Sequence, residues 1–300
     1  MSVTTRAPAR IDLFAAGIMV VLCALWGFQQ VASKIALNEG LPPLFQALAR
    51  PVVAGPLVAL WLFVRRGRRG LGALLARDGT LRPGLLTAAL FAGEFIFLME
   101  GMRLTSASRA VIVLYTAAFF TALGTHLLIP AERLRPINLA GLLLAFAGVA
   151  ATMGAGGDGS LVGDALVLVG AACWGITTVV VKASPAMMAV EPEKVLIYQL
   201  IGSIPFLLLA AASGGELHLP HASGLAWLSL LYQSVVVSFA SYLTWFWLIR
   251  SYPAGRLAAF SFLTPLFGVL AAALLLGDKV TPMLLVGLVC VGAGLRLVNR

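Results

Sequence analysis

Residues 24–34 read Ala-Leu-Trp-Gly-Phe-Gln-Gln-Val-Ala-Ser-Lys, and residues 172–182 read Ala-Cys-Trp-Gly-Ile-Thr-Thr-Val-Val-Val-Lys. Trp, Gly and Lys fall in step, with Trp26 and Trp174 standing 148 residues apart. Working outward, Glu132-Arg133-x-x-Pro136 is answered by Asp278-Lys279-x-x-Pro282 at an offset of 146. The same offset pairs Gly141 with Gly287 and Gly148 with Gly294. Between these, Ala107-Ser108-Arg109 matches Ala254-Gly255-Arg256 at an offset of 147. One such match is weak, since glycine is frequent in membrane helices. Three matches in one order leave coincidence the minor reading, and they divide the chain into residues 1–153 and 154–300.

Each half carries apolar runs of the length that crosses a bilayer, about 20 residues. Ten are read: Leu13–Ala32, Leu44–Val64, Gly84–Gly101, Ala110–Ile129, Ile137–Met153, Leu161–Val181, Val195–Ala212, Leu225–Ile249, Ala254–Leu276 and Met283–Val298. They are continuous rather than alternating, which excludes a β-barrel. Five spans per half is an odd number, so the second half enters the membrane the other way round. The expected fold is therefore all-α integral membrane, with ten transmembrane helices as two inverted five-helix repeats around a central cavity. Secondary transporters repeatedly use this architecture, with substrate near the midplane between the halves.

Composition agrees. The 300 residues are 60% hydrophobic and 11% charged, against about 25% charged in an ordinary soluble domain. Too few charges remain to cover a wet surface, so lipid is the solvent for most of the exterior. The net charge of +9 does not point to nucleic acid, because the basic residues cluster in short loops between spans. With the N-terminus inside, sixteen Lys and Arg fall on the inner side, most densely over Arg65–Arg82, and four on the outer: Lys34, Arg103, Arg109 and Lys279. Both termini are expected in the cytoplasm. No cleavable signal peptide is expected, since the run from Leu13 continues past Val31. The compact, tail-less chain suggests a bacterial protein.

Ten spans, a Trp-Gly in spans one and six, and an acidic residue and proline before spans five and ten resemble the drug/metabolite transporter superfamily, EamA type. The resemblance covers nearly the whole chain and lies nearest the aromatic amino-acid exporter branch. It implies a basket-like bundle in which spans one, three, four, six, eight and nine surround the cavity, with five and ten packed at the back. The halves depart from each other in places: Pro265 stands where the first half has Ala118, and Gln29-Gln30 faces Thr177-Thr178.

Polar groups in hydrocarbon are costly and face a bundle interior or a wet cavity. Ser234, Ser238, Ser241 and Trp245 fall at i, i+4, i+7 and i+11 on one helical face, with Tyr232, Gln233 and Tyr242 beside it. They form either a polar, aromatic cavity wall or a close helix–helix seam. Trp26, Gln30 and Ser33 share a face in span one, as Trp174 and Thr178 do in span six. Both tryptophans lie well inside their spans, which favours a cavity floor over the interfacial belt. Tyr115, Phe119 and His126 share a stripe in span four, with Tyr115 the candidate for the cavity. Glu94 is the acid deepest within a span. It either binds a ligand ammonium, takes up a proton in coupling, or is a neutral acid bonded to a neighbour or paired with Arg50. The substrate-binding candidates are thus Trp26, Gln30, Glu94, Tyr115, Trp174, Thr178, Ser234, Ser238 and Tyr242. Arg50, about two turns into span two, is expected to snorkel outward. Arg109, Arg256, Lys34 and Lys182 are read as interface anchors. Glu132 and Asp278 are read as favouring the dipoles of the helices that follow them. Gly141 and Ala145 are read as the small-residue seam by which spans five and ten pack.

Other chemistries lack their residues. Gly154–Gly159 fits G-x-G-x-x-G but joins two membrane spans, without the strand a dinucleotide site needs. His218 and His221 lie in an outer loop with no further ligand pattern, and Cys23, Cys173 and Cys290 make no metal or disulfide spacing. There is no Walker A sequence, no H-E-x-x-H and no G-x-S-x-G. The expectation is a secondary transporter of the bacterial inner membrane, not an enzyme, exporting amino acids (aromatic favoured) or related small metabolites. No cofactor or metal is implied, the partners are a small-molecule substrate and membrane lipid, and the protein is a monomer or weak oligomer. A multidrug exporter of lipophilic cations with Glu94 as counter-charge is the alternative within transport. A membrane-embedded enzyme or a non-transporting scaffold is the alternative outside it.

Overall fold

The computed structural model describes residues 12–130, 134–153, 159–252, 257, 260 and 263–298. Regular structure among them is entirely helical. In chain order the helices are α1 (Leu13–Asn38), α2 (Pro43–Leu74), α3 (Leu81–Leu104), α4 (Ala107–Leu114), α5 (Ala117–Leu128), α6 (Pro136–Met153) and α7 (Leu161–Ala183). There follow α8 (Pro185–Ala189), α9 (Pro192–Ser213), α10 (Gly224–Leu231), a π-helical stretch (Tyr232–Ser241), α11 (Tyr242–Ser251), α12 (Leu263–Leu276) and α13 (Pro282–Val298). Helix is what long apolar runs must adopt in lipid, because each backbone N–H and C=O has to be satisfied within its own segment. Seven stretches are long and apolar enough to cross a membrane: α1, α2, α3, α4 with α5, α7, α9, and Gly224–Trp245. Three shorter apolar helices, α6, α12 and α13, join them. Span nine, expected over Ala254–Leu276, is described without interruption only from Leu263. Arg6, Arg10, Glu132, Arg133, Gly154–Asp158 and Arg256 lie outside the described residues.

The helix ends are held by named groups. Asp12 caps α1 by accepting from the Ala15 amide at 2.7 Å, and the Tyr252 hydroxyl donates to its other oxygen at 2.9 Å. The Glu216 carboxylate accepts from the amides of Leu44 and Phe45, at 2.7 and 3.1 Å, setting a negative charge at the positive end of α2. Lys34 was expected to be an interface anchor. Its ammonium instead donates to the carbonyls of Met102 and Thr105, closing the C-terminal end of α3. Asp278 does not serve the helix after it either. Its carboxylate accepts from the Ser108 amide in the first turn of α4 at 2.8 Å, and Thr281 supplies the acceptor for the Leu284 amide of α13.

Two expected single helices are not regular. Span four breaks at Tyr115–Thr116, where i→i+3 bonds (Thr116 N–H to Val113 O, 3.1 Å; Phe119 N–H to Thr116 O, 2.8 Å) tighten the chain between α4 and α5. The Thr116 hydroxyl donates to the Val113 carbonyl at 2.6 Å and so stabilises the break. Span eight is wound as π helix over Tyr232–Ser241, which shifts the α-helical phase assumed for its serines. The hydroxyls of Ser234, Ser238 and Ser241 donate back to the carbonyls of Leu230, Gln233 and Val237. Back-bonds of this kind satisfy carbonyls where the main-chain ladder changes register.

Glycines set the closest helix crossings. A Cβ on Gly27 of α1 would lie 2.6 Å from the Thr264 carbonyl and 2.7 Å from the Gly268 amide of α12. A Cβ on Gly175 of α7 would lie 2.6 Å from the Ala117 carbonyl and 3.0 Å from the Thr121 amide of α5. Helices α6 and α13 pack along their length: a Cβ on Gly148 would meet the Gly287 carbonyl at 2.8 Å, and one on Gly294 the Gly141 carbonyl at 2.6 Å. Large apolar side chains such as Phe63, Leu143, Leu209, Leu274 and Val289 remain exposed on the outside of the bundle, as they should where the surrounding solvent is lipid.

Candidate functional site

The polar residues buried within the bundle converge where α1, α2 and α3 meet the π-helical stretch. Gln46 in α2 donates from Nε2 to the Leu41 carbonyl at 3.0 Å and accepts from Gln233 Nε2 at 3.2 Å. Gln233 Oε1 accepts in turn from the Ser33 hydroxyl of α1 at 2.8 Å. One helical turn beyond Gln46, on the same face, is Arg50. It does not snorkel as expected from the sequence: it is 2% exposed. Its Nη2 donates to the Ser238 hydroxyl at 3.2 Å, and its guanidinium lies 4.1 Å above the centre of the Phe95 ring. An inward turn is favoured because Ser238 and Phe95 offer the cation a hydrogen bond and an aromatic face, which a lipid-facing route does not.

Glu94, beside Phe95 in α3, is 6% exposed. It and the Tyr242 phenol are within electrostatic reach of Arg50. Tyr115, at the break between α4 and α5, lies within reach of both Tyr242 and Glu94. Its ring meets Trp174 of α7 edge-on, with centroids 5.7 Å apart at 85°. On the far side of the π stretch, Trp26 Nε1 donates to the Ser241 hydroxyl at 2.9 Å. Trp26 also packs edge-on against Trp245 at 5.7 Å. Gln30 is 3% exposed, and its Oε1 has no hydrogen-bond partner among the described residues.

The sequence-derived candidates are thus placed unevenly. Glu94, Ser238 and Tyr242 gather around Arg50, with Tyr115 beside Glu94 and Tyr242 and Trp174 behind Tyr115. Trp26 forms a second group with Ser241 and Trp245. Ser234 turns its hydroxyl back to its own helix, and the Thr178 hydroxyl faces the Trp174 carbonyl at 3.4 Å. Arg109, expected as an anchor, is 4% exposed. It is held by the buried Asp164 carboxylate at the start of α7, with Nε to Oδ1 at 3.2 Å and a second contact from Nη2 to Oδ2. The Thr105 hydroxyl donates to the same carboxylate at 2.6 Å. His126, on the Tyr115 stripe, accepts through Nδ1 from the Leu134 amide at 3.0 Å. No group of three His, Cys, Asp or Glu among the described residues could hold a metal ion. The residue that sequence reasoning missed is Arg50. The signal was present in Gln46 and Arg50, polar at i and i+4 on one face of an otherwise apolar helix.

The chain is similar throughout to known membrane proteins. The model of the EamA-like transporter family matches residues 13–154 and 161–300. A "Probable amino-acid metabolite efflux pump" of Salmonella typhimurium is 33% identical over 303 residues, covering 96% of this chain and 95% of its own. A protein of the same description from Escherichia coli is 30% identical, covering 94% and 93%, and an uncharacterized transporter of Archaeoglobus fulgidus is 27% identical, covering 87% and 89%. A solved structure with 21% sequence identity shares the fold at a TM-score of 0.66, covering 95% of this chain and 96% of its own.

Proposed function

Because the chain belongs to the EamA-like transporter family, and with it to the drug/metabolite transporter superfamily, we propose that it exports amino acids or related small metabolites across the bacterial inner membrane. It is a multi-pass membrane transporter and not an enzyme. The finer reading is an alternating-access exporter, aromatic amino acids favoured, with ten spans in two inverted five-helix repeats, residues 1–153 and 154–300. Both termini are cytoplasmic, and the protein works as a monomer or weak oligomer. The glycine crossings support the repeat. Gly27 against Thr264 and Gly268 corresponds to Gly175 against Ala117 and Thr121, at the same offsets of 147 and 148 as the sequence matches. The efflux-pump names of two relatives support the substrate class.

The observation that carries the reading is the buried meeting of Arg50, Glu94, Tyr115, Tyr242 and Ser238, polar and aromatic groups from both halves with no catalytic arrangement among them. Trp26, Gln30, Trp174, Thr178 and Ser234 complete the wall of the site. Arg50 so near Glu94 argues against a lipophilic cation as cargo, since any cation paired with Glu94 also meets the guanidinium. Two halves rocking about this site would expose it to each side in turn.

Counterflow of radiolabelled amino acids in proteoliposomes tests the reading. Uptake of phenylalanine or tryptophan, weakened in Trp26→Ala and Trp174→Ala, is the expected result. Dependence on a proton gradient that disappears in Glu94→Gln would assign proton coupling to Glu94, and gradient-independent flux would make the protein a facilitator. No flux of any amino acid would overturn the assignment.

A further inference from the structure

Arg50 and Glu94 are opposite charges buried in the same bundle, yet no ion pair joins them and the guanidinium is only partly satisfied. Nη2 of the guanidinium donates to the Ser238 hydroxyl, and the Tyr242 phenol is a second polar neighbour of the group. Nε and Nη1 are buried without a partner among the described residues. Glu94 forms no hydrogen bond with a described residue, and no N···O contact within 4.0 Å joins it to Arg50. Buried charges are normally paired, and these two are close enough to act on each other. Ser238 tethers one end of the guanidinium, and the ring of Phe95, the residue next to Glu94, lies under its flat face. The arrangement leaves a buried cation and a buried anion within electrostatic reach of each other and not directly paired.

A group that completes both must present an anion to Arg50 and a cation to Glu94. A lone cation would leave the guanidinium unmatched and face its repulsion, and a lone anion would do the same to Glu94. The carboxylate and ammonium of an α-amino acid sit on one carbon and meet both demands. We infer that Arg50 and Glu94 form a zwitterion clamp, with Arg50 donating to the carboxylate of an α-amino acid and Glu94 accepting from its ammonium. The inference rests on the exporter reading above and assigns the two ends of its substrate. The planar guanidinium is suited to a carboxylate, which accepts through two oxygens in one plane. Tyr242, within reach of both charges, and Tyr115, within reach of Glu94, would flank the headgroup.

The test uses the full chain in proteoliposomes, reading counterflow of radiolabelled phenylalanine against two unlabelled competitors. Phenylalaninamide keeps the ammonium and lacks the carboxylate; 3-phenylpropionate keeps the carboxylate and lacks the ammonium. Each is expected to compete roughly 10- to 100-fold less well than phenylalanine, the effect of losing one hydrogen bond to a charged group. Arg50→Gln is expected to erase the discrimination against the amide and leave that against the propionate. Glu94→Gln is expected to do the reverse, and Arg50→Lys to keep part of the preference for the acid. A crossed pattern of this kind cannot come from a general loss of folding, and where a variant does not fold the wild-type competition series decides alone. Amino-acid flux with both analogues competing as well as phenylalanine overturns the clamp and leaves the exporter standing. No flux of phenylalanine, leucine or any other amino acid overturns both.

Discussion

Replacing Gly27 with alanine places a methyl group in the tightest crossing of α1 and α12. The new Cβ would stand 2.6 Å from the Thr264 carbonyl, 2.7 Å from the Gly268 amide and 3.1 Å from Phe267 Cβ. The first two fall 0.7–0.8 Å short of the 3.4 Å at which ordinary van der Waals contact begins. Both obstructing atoms are backbone, so no flexible side chain can swing aside and the two helices must part. Overpacking of this kind costs about 1–3 kcal/mol. Gly17, ten residues earlier on the same helix, is the control, because a Cβ there meets nothing within 4 Å. Relief of glycine's conformational entropy should make Gly17→Ala stabilising by about 0.5–1 kcal/mol. The two variants should therefore differ by about 1.5–4 kcal/mol. The assay is thermal unfolding in detergent, followed by the monodisperse fraction on size exclusion after heating. Gly175→Ala should fail as Gly27→Ala does, since its Cβ would lie 2.5 Å from Phe120 Cβ and 2.6 Å from the Ala117 carbonyl. If Gly27→Ala proves as stable as Gly17→Ala, the helix crossing and the reasoning built on it are wrong.

Asp164→Asn leaves the Arg109 guanidinium buried without its carboxylate, and should cost about 3–5 kcal/mol in the same unfolding assay; a milder loss in Thr105→Val, which removes one bond to that carboxylate, is its companion. The Lys194 ammonium and the Thr80 hydroxyl hold the Asp78 carboxyl, in the loop between α2 and α3, down at about 2 against an ordinary 3.8. A depressed carboxylate stabilises the fold above its unfolded value and loses that contribution as pH falls through the folded one, so the advantage of wild type over Asp78→Asn should be constant from about pH 8 to pH 5 and shrink below about pH 4. In right-side-out cells Arg68→Cys, an exposed position in the basic segment after Gly67, should resist an impermeant thiol reagent while His218→Cys reacts; the opposite labelling would invert the proposed topology.

What the sequence made legible was governed by solvent. Apolar runs stand out because helices that face lipid must be predominantly apolar, and the glycine matches stand out because close helix crossings admit no Cβ. What it concealed depends on partners remote in the chain. Whether Arg50 snorkels or turns inward is decided by Ser238, 188 residues away, and by Phe95 on another helix. The same holds for Lys34 and the end of α3, 68 residues on, and for Arg109 and Asp164, 55 residues apart. The π-helical winding was hidden for a different reason. Serines at α-helical spacing look alike whether they line a cavity or donate to their own carbonyls, and Ser234 and Ser238 differ only in that Arg50 reaches one of them.

The proposed repeat accounts for the scaffold but not for the charges within it. Glycines recur at both crossings, so the two halves can present matching surfaces to each other. Arg50 has Tyr198 at an offset of 148 and Glu94 has Ser241 at 147, neither of them charged. Both charges therefore belong to α2 and α3, while Ser238 and Tyr242, which lie beside Arg50, belong to the π stretch and α11. Among the described residues, side-chain hydrogen bonds join the first half to that stretch at Arg50 to Ser238, Trp26 to Ser241, Ser33 through Gln233 to Gln46, and the Tyr232 hydroxyl to the Leu25 carbonyl. If access alternates by movement of the π stretch against α1 and α2, these bonds must break or travel. A ligand held by Arg50 and Glu94 would then stay with α2 and α3 throughout. An inverted repeat alone leaves the ligand free to bind either way round; charge on one half only fixes its direction.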